Sequence, residues 1–299
     1  MVHVNYESTC SQVNDVLAQY SVTEFPALTL RQIYYRLVAK NAIPNKRSAY
    51  TGLSSMLVRA REAGRVDDTR IEDRSRGVLE TVSMYPDPDT FTEDMKEAFK
   101  CLGEEYYADL WADQKYAVEL WVEKDALSRV IARAAEPFRV VTCPSRGYSS
   151  YTYIKRVAVD GRFAKIPRDK KIVVLDFRDH DPSGIQMTQD LENRFIRYCD
   201  RTVQVKWVAL TIEQVKRYNL IPNPTKLADL RTAAYVEQYG NEWWELDAIE
   251  PTELQKMVVS AIRTHVNMDA WKEALAQEYE DREGLIPRFK KVRISLPKN

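Results

Sequence analysis

Residues 171–184, with the sequence KIVVLDFRDHDPSG, constrain the fold more than any other part of the chain. The apolar run at residues 172–175 is rich in β-branched side chains, which is typical of a strand buried on both faces of a parallel sheet. Ligand sites in such sheets lie beyond the carboxyl ends of the strands. Asp179 and Asp181 follow the strand at a spacing of two, so both carboxylates can be directed at one hard cation.

A second strand-like segment, residues 116–122, also ends at an acid, Glu123. Helical patterns alternate with four such segments, at residues 116–122, 138–142, 172–177 and 203–210. This alternation predicts an α/β fold with a Rossmann-like parallel sheet and right-handed crossovers. Glu123, Asp179 and Asp181 then meet at one edge of the sheet, a layout that suits a magnesium site for phosphodiester chemistry.

The D-x-D segment has two other interpretations. Asp181 is also a good N-cap for a helix with Pro182 at its first position, and this interpretation stays open. The spacing resembles the start of an EF-hand loop, but position twelve is Asp190 rather than Glu and a strand precedes the loop. His180 is not expected to be a ligand, because alternation along an extended turn points it away from the two aspartates.

The composition is that of a soluble protein, with 44% apolar and 29% charged residues. No apolar run approaches the ~18 residues of a membrane span, and the N-terminus lacks the pattern of a signal peptide. The four cysteines are scattered without a C-x-x-C pair, which argues against a zinc site or a disulfide framework. These features predict a cytoplasmic protein with no membrane partner.

The 44 basic and 44 acidic residues balance, but their distribution is uneven. Residues 31–61 contain seven basic side chains and no acid, a pattern that indicates either a phosphate-binding surface or a solvated charged face. On the first interpretation Arg36, Lys46, Arg47, Arg59 and Arg61 of this stretch contact the phosphates of a nucleic acid.

The basic stretch lies in a small helical unit, predicted over residues 1–85. Thr29 and Gln32 form a capping box for its second helix, and Gly64 is placed just after the end of its third. A helix, a short turn and a second helix fit a helix-turn-helix or winged-helix module. A linker and connecting helix are predicted over 86–114, and the sheet domain with a helical C-terminal extension over 115–299. Thr252 and Gln255 predict another capping box in that extension.

Three segments together resemble the Toprim domain of topoisomerases, primases and related nucleases: Glu123 at a strand end, Arg146-Gly147-Tyr148, and the D-H-D-P-S-G stretch from Asp179. In that family the glutamate and the two aspartates hold catalytic magnesium. The resemblance therefore implies Mg²⁺, with Mn²⁺ as a substitute, on Glu123, Asp179 and Asp181.

Residues 30–35, with the sequence LRQIYY, resemble a motif of the topoisomerase VI A subunits and the meiotic double-strand-break transesterase. In that superfamily the motif lies in a winged-helix domain ahead of a Toprim domain, and its second aromatic is the nucleophilic tyrosine, here Tyr35. Gln32 departs from the usual Asp, and the N-terminus is shorter than in A subunits that engage an ATPase B subunit. The chain is most similar to the stand-alone mini-A proteins of viruses and mobile elements.

The resemblance implies magnesium-dependent DNA cleavage through a 5′-phosphotyrosyl intermediate, by a homodimer in which each tyrosine meets the partner's metal site. It also implies that the substrate is double-stranded DNA, that the protein associates with the nucleoid when bound, and that Arg36, Lys46, Arg47, Arg59, Arg61 and Arg146 contact the DNA. An ATPase B-type partner is not required, and no GxxxxGK[ST] phosphate loop is present. Two other functions stay open at this stage. One is a Toprim-type nuclease that hydrolyses DNA with activated water, and the other is a DNA-binding protein with a vestigial site.

Elementary chemistry, independently of the resemblance, also bears on whether Tyr35 is the nucleophile. A phenol has a pKa near ~10 and is a poor nucleophile at neutral pH unless a metal or a base assists it. Arg31 lies one helical turn before Tyr35, where it is placed to bind the scissile phosphate. Tyr34 is in register with Ile33 and Leu37 and is predicted to be a core residue, whereas Tyr35 lies off that stripe. The alternative is that both tyrosines are structural. Residues 222–247 carry no assigned chemistry.

Overall fold

The structure is a computed structural model that describes residues 6–23, 25, 27–72, 85–101, 104–145, 147, 149, 151–224 and 232–289. The described α-helices are α1 Tyr6–Ala18, α2 Leu30–Ala39, α3 Arg47–Glu62, α4 Pro88–Cys101, α5 Asp125–Ala135, α6 Pro182–Tyr198, α7 Ile212–Arg217, α8 Thr232–Tyr239, α9 Pro251–Arg263 and α10 Met268–Phe289. The strands are β1 Leu28–Thr29, β2 Ile71–Glu72, β3 Tyr116–Val122, β4 Val141–Pro144, β5 Lys171–Phe177, β6 Val203–Ala209, β7 Asn223–Pro224 and β8 Glu242–Trp243.

A four-stranded sheet in the order β4-β3-β5-β6 forms the centre of the α/β region. The β3/β4 and β5/β6 pairs are parallel, and Val174 of β5 lies opposite Val205 of β6. Six of the seven β5 residues are buried, as expected for a central strand covered on both faces. The prediction of an α/β fold with a parallel sheet is therefore confirmed.

The N-terminal helices pack around their own apolar core, to which α2 and α3 contribute half of the buried side chains. At the start of α2, the Thr29 hydroxyl accepts the Gln32 N–H and the Gln32 side chain accepts the Thr29 N–H, so the predicted capping box is confirmed. Gly64 follows the C-cap of α3 with a φ of 65°, a left-handed conformation that glycine adopts without strain. A short parallel pair, β1 and β2, also belongs to this region.

Two local predictions were wrong. Glu250, not Thr252, caps α9, because its carboxylate accepts the N–H groups of Thr252 and Glu253 and Pro251 is suited to the first helical position. Strand β4 begins at Val141 rather than at residue 138, because a 3₁₀ turn, Glu136–Phe138, precedes it.

The chain forms two compact units whose boundaries differ from the predicted ranges 1–85, 86–114 and 115–299. Unit 1 comprises residues 1–76 and 117–264, and unit 2 comprises residues 77–116 and 265–299. In unit 2 the rings of Trp111 and Trp271 meet edge to face with centroids 5.5 Å apart, and Gln114 exchanges hydrogen bonds with the Asn267 backbone. Within the described ranges, no helix is both long enough and apolar enough to cross a bilayer.

Candidate active site

The three predicted metal ligands lie at the carboxyl ends of two neighbouring strands of unit 1. Glu123 directly follows β3, and its N–H donates to the carbonyl of Phe177, the last residue of β5, over 3.1 Å. Asp179 and Asp181 come two and four residues after Phe177. The structure thus brings Glu123 to the strand end that the two aspartates follow, which is the arrangement expected for acids at one edge of a parallel sheet.

Glu123 is the least satisfied acid of this group. Burial, followed by the charges of Asp179 and Asp181, raises the pKa of Glu123 to about 7. Its Oε2 atom is buried and has no hydrogen-bond partner in the described part of the chain. A carboxylate with a buried open oxygen and two acidic neighbours fits a hard divalent cation, which would offset the repulsion and complete the coordination of that oxygen.

The turn that carries the two aspartates is constrained by Gly184. Asp181 is the N-cap of α6, with its Oδ1 accepting the Gly184 N–H over 2.6 Å. A Cβ atom on Gly184 would lie 2.2 Å from the Asp179 carbonyl oxygen, so only glycine allows the helix to start this close to the turn. The capping interpretation of Asp181 is therefore correct for one of its oxygens. Burial, followed by the charge of Asp179, raises the pKa of Asp181.

Lys124 joins these acids to a second acidic pair that sequence analysis missed. Its Nζ atom lies 2.8 Å from Asp179 Oδ2, 2.9 Å from Glu245 Oε2 and 3.0 Å from Asp247 Oδ2. Burial alone would lower the pKa of Lys124, but the three carboxylates raise it well above its ordinary value. The ammonium group is therefore a fixed positive charge among acids that would otherwise repel one another.

Backbone pairing brings Glu245 and Asp247 to the site from a distant part of the chain. His180 and Trp244 exchange two backbone hydrogen bonds of 2.9 and 3.0 Å, and the Leu246 N–H donates to Asp179 Oδ1 over 2.8 Å. Glu245 and Asp247 are spaced by two, like Asp179 and Asp181, and this repeated spacing was the one signal in the sequence that could have identified them. The backbone pairing of His180 with Trp244 cannot be predicted from any local sequence pattern.

The ring of His180 lies in an aromatic cluster, consistent with the expectation that it is not a ligand. Its Nδ1 atom is 2.8 Å from the Tyr235 hydroxyl, and the ring stacks on Trp207. Burial lowers the pKa of His180, so the ring is held neutral. Arg178 is also buried, where it pairs with Asp176 at 2.6 Å.

Arg31 of α2 reaches the same cluster, and Tyr35 lies one turn further along the helix. The Tyr35 hydroxyl accepts a 3.1 Å hydrogen bond from Asn223 Nδ2, and Arg31 Nη1 lies 2.7 Å from Glu245 Oε2. Burial, followed by the charge of Glu245, raises the pKa of Tyr35, while the Asn223 hydrogen bond and the charges of Lys124 and Arg31 oppose that shift. The phenol is thus neutral in this state and lies within the electrostatic reach of the acid cluster.

Tyr34 provides a direct contrast with its neighbour. Both tyrosines are buried, with 4% and 5% of their surfaces exposed. The Tyr34 hydroxyl donates to Asn45 over 3.0 Å, and its ring packs edge to face on Tyr50. Tyr34 is therefore bonded within the helical region, as predicted for a core residue. Tyr35 belongs to the same core, with its ring 5.3 Å from that of Tyr34, but its hydroxyl is bonded to Asn223 of a distant segment.

The predicted DNA contacts have different environments. Lys46, Arg47 and Arg59 are exposed on or next to α3, and Arg61 is half-buried. Arg36 instead donates to the Ala248 carbonyl through its guanidinium, a contact that joins α2 to the turn after Asp247. Arg146 lies outside the described residues.

A cleft of about 550 Å³ opens beside the acid cluster within unit 1. Arg31, Tyr50 and Arg61 line it from the helical side, and Lys124, Asp125 and Asp247 line it from the sheet side. The side chain of Arg31 is 38% exposed despite its ion pair with Glu245. A ligand in this cleft would therefore meet both basic side chains, Arg31 and Lys124, and the acidic side chain of Asp247.

The comparisons with known proteins give no assignment: no family model matches the chain, and no curated protein matches it.

Proposed function

We propose that the protein is a magnesium-dependent DNA-cleaving transesterase related to the topoisomerase VI A subunits. On this proposal the helical region with the β1/β2 pair is a winged-helix module and the parallel sheet is a Toprim domain. The observation that carries the proposal is the connection between the tyrosine helix and the acids at the strand ends. Arg31 pairs with Glu245, Glu245 with Lys124, and Lys124 with Asp179, in one continuous chain of contacts.

The proposed reaction is an in-line transfer of a DNA phosphodiester to Tyr35. The phenolic oxygen forms a bond to phosphorus and loses its proton to solvent, while the bond from phosphorus to the 3′ oxygen breaks. The 3′ oxygen takes up a proton and leaves as a 3′-hydroxyl, so one phosphodiester is exchanged for another. The 5′ end of the cut strand stays linked to Tyr35.

The chain's own residues have separate roles in this reaction. Arg31 binds the scissile phosphate, which competes with Glu245 for its guanidinium. Lys124 keeps Asp179, Glu245 and Asp247 in place and contributes positive charge beside the cleft. Asn223 orients the Tyr35 oxygen through its hydrogen bond. Magnesium on Glu123, Asp179 and Asp181 would supply charge stabilisation for the transferred phosphoryl group and the leaving oxygen.

The same reaction indicates which partners the protein binds. The substrate is double-stranded DNA, for which the exposed basic residues of α3 provide phosphate contacts in the nucleoid. One tyrosine cuts one strand, so a double-strand break needs two copies of the chain, and we propose a homodimer. An ATPase B-type subunit would add energy coupling but is not needed for cleavage, because transesterification conserves the number of phosphodiester bonds.

Hydrolysis is the second candidate function, and the burial of Tyr35 is the observation that favours it. With only 5% of its surface exposed, Tyr35 must become accessible before it can attack DNA. A nuclease would use the same acids and metal to activate water and would need no such change.

A plasmid cleavage assay separates the two candidates. Wild type, Tyr35→Phe and Tyr34→Phe are incubated with supercoiled DNA and Mg²⁺, stopped with detergent, and run with and without protease. We expect nicked or linear DNA that enters the gel cleanly only after protease with wild type and Tyr34→Phe, and no cleavage with Tyr35→Phe. Free ends without protease from all three proteins would establish hydrolysis instead.

A further inference from the structure

We propose that the Lys124 ammonium takes the place of a second divalent cation, so that the candidate site binds one metal ion together with one built-in positive charge. This role of Lys124 rests on the proposed function and deepens it, because it identifies the second cation of the reaction. Two-metal sites use a pair of cations, which together stabilise the attacking and the leaving oxygen. Lys124 lines the cleft of unit 1, where a bound phosphodiester would meet its charge.

The first support is the set of oxygens around Lys124. Its Nζ atom contacts one oxygen each of Asp179, Glu245 and Asp247, at 2.8, 2.9 and 3.0 Å. These three acids form the acid cup. Carboxylate oxygens that converge on one point are the ligands that hard divalent cations prefer. In this protein the point of convergence is taken by an ammonium group of the chain itself.

The second support is the way the acid cup holds the ammonium group. An ammonium has three N–H donors, and the three oxygens of the cup lie 2.8–3.0 Å from it, so the donors and acceptors match in number. The side chains of Lys124 and Asp247 are 18% and 0% exposed, which leaves water little access to their contact. Removing one partner of a buried ion pair leaves the other charge uncompensated, and this is costly. A free ion is therefore at a disadvantage in replacing Lys124.

The third support is the position of the open oxygen among the predicted metal ligands. Asp179 already uses both of its oxygens, because Oδ1 accepts the Leu246 N–H and Oδ2 contacts Lys124. Glu123 is not one of the cup acids, and its Oε2 atom is buried with no hydrogen-bond partner among the described residues. One divalent ion at Glu123 and one ammonium in the acid cup then provide the two positive charges at the strand ends.

Counting bound Mn²⁺ tests the inference without using activity as the readout. Each protein is titrated with Mn²⁺ in the absence of DNA, and the free ion is measured by electron paramagnetic resonance. We expect about one ion per wild-type chain and about two per Lys124→Met chain, since the emptied cup offers three carboxylates to a second ion. Adding Asp247→Asn to Lys124→Met should return the count to about one. Lys165→Met, at an exposed position, is the matched control and should bind as wild type does.

Two results would overturn the inference: two ions on wild type, or a single ion on a Lys124→Met chain that is folded by circular dichroism. If Lys124→Met does not fold, Glu245→Gln decides, because it removes a cup acid and keeps the lysine. We expect Glu245→Gln to retain the ion with an affinity about tenfold weaker at most, as for a residue outside the ligands. Loss of the ion from Glu245→Gln would place the metal in the acid cup and contradict the role of Lys124.

Failure of the proposed function gives a different pattern. Wild type that binds no Mn²⁺, or that binds it as well after Glu123→Gln, contradicts the metal site on which both the function and the inference depend. Absence of protein-linked DNA in the plasmid assay contradicts the transesterase and does not change the ion count. The inference alone fails when wild type forms protein-linked DNA and binds two ions.

Discussion

Two groups of buried charges in unit 1 differ in their balance. Asp176 and Arg178 form a one-to-one pair at 2.6 Å, with side chains 0% and 1% exposed. Among the described residues of the candidate site, five carboxylates (Glu123, Asp179, Asp181, Glu245 and Asp247) are accompanied by the cations Lys124 and Arg31. The balanced pair needs no ligand, whereas the acid-rich cluster has an excess of negative charge that a divalent cation would offset.

The difference lies in the counter-charge of each acid and not in its open oxygens. Asp176 Oδ2 accepts hydrogen bonds from both Arg178 and Thr188, each 2.6 Å long, while its Oδ1 atom is buried without a partner among the described residues, like Oε2 of Glu123. Burial, followed by the charges of Asp179 and Asp181, raises the pKa of Glu123 to about 7. Buried charge is costly unless it is paired, and a bound divalent cation would offset this cost at Glu123.

Breaking the balanced pair gives the largest expected effect on stability. Arg178→Met leaves Asp176 buried without its counter-charge, and we expect a loss of about 3–5 kcal/mol in the free energy of unfolding, measured with urea. The double variant Asp176→Asn with Arg178→Met removes both charges and is expected to recover much of that loss. Equal instability of the single and double variants would contradict the role of charge.

Neutralising one acid of the cluster should raise the free energy of unfolding at neutral pH, whereas breaking the Asp176–Arg178 pair lowers it. The pKa of Glu123 is about 7 in the folded protein and about 4.3 in an unfolded chain, so between these values the folded state keeps a proton that the unfolded state has lost. The free energy of unfolding of metal-free protein therefore falls as pH rises through this window, by about 1–3 kcal/mol. Glu123→Gln should flatten this slope, as measured by urea unfolding in EDTA between pH 5 and pH 8.

Magnesium provides the complementary measurement on the same variant. At pH 8, Mg²⁺ at about 100 times its dissociation constant should raise the free energy of unfolding of wild type by about 2.7 kcal/mol. Glu123→Gln should respond much less at the same concentration. Equal responses of the two proteins would show that Glu123 is not a ligand.

Some of the residues in these predictions could be assigned to the site from the sequence alone, and others could not. The position of Glu123, Asp179 and Asp181 at the strand ends was predicted because each comes within four residues of the end of an apolar strand, and parallel strands bring their carboxyl ends to one edge. The capping box of Thr29 was also predicted from a local pattern, because Thr29 and Gln32 are only three residues apart. Such local patterns also predicted the α/β class and most of the helices.

Residues that act across long sequence distances were not predicted. Glu245 and Asp247 reach the site through the pairing of His180 with Trp244, and Asn223 meets Tyr35 across 188 positions. The extent of the compact units also depends on such contacts, since Trp111 packs on Trp271 far along the chain. Tertiary contacts of this kind leave no periodic pattern in the sequence.

The hydrogen bond to Tyr35 has the smallest expected effect. Asn223→Ala removes one donor, and we expect a loss of about 1 kcal/mol in the free energy of unfolding together with a several-fold slower covalent cleavage. Asn241→Ala, at an exposed position, is the matched control and should change neither quantity. Unchanged cleavage by Asn223→Ala would mean that this hydrogen bond does not orient the phenol.

The most direct test of the central claim is to locate the covalent bond in the protein. Wild type is incubated with DNA and Mg²⁺, the DNA is digested to a short remnant, and the tryptic peptide of residues 32–36 is fragmented in a mass spectrometer. The account predicts a nucleotide mass on Tyr35 and none on Tyr34. Cleaved DNA with an unmodified peptide, or with the nucleotide on any other residue, would contradict it.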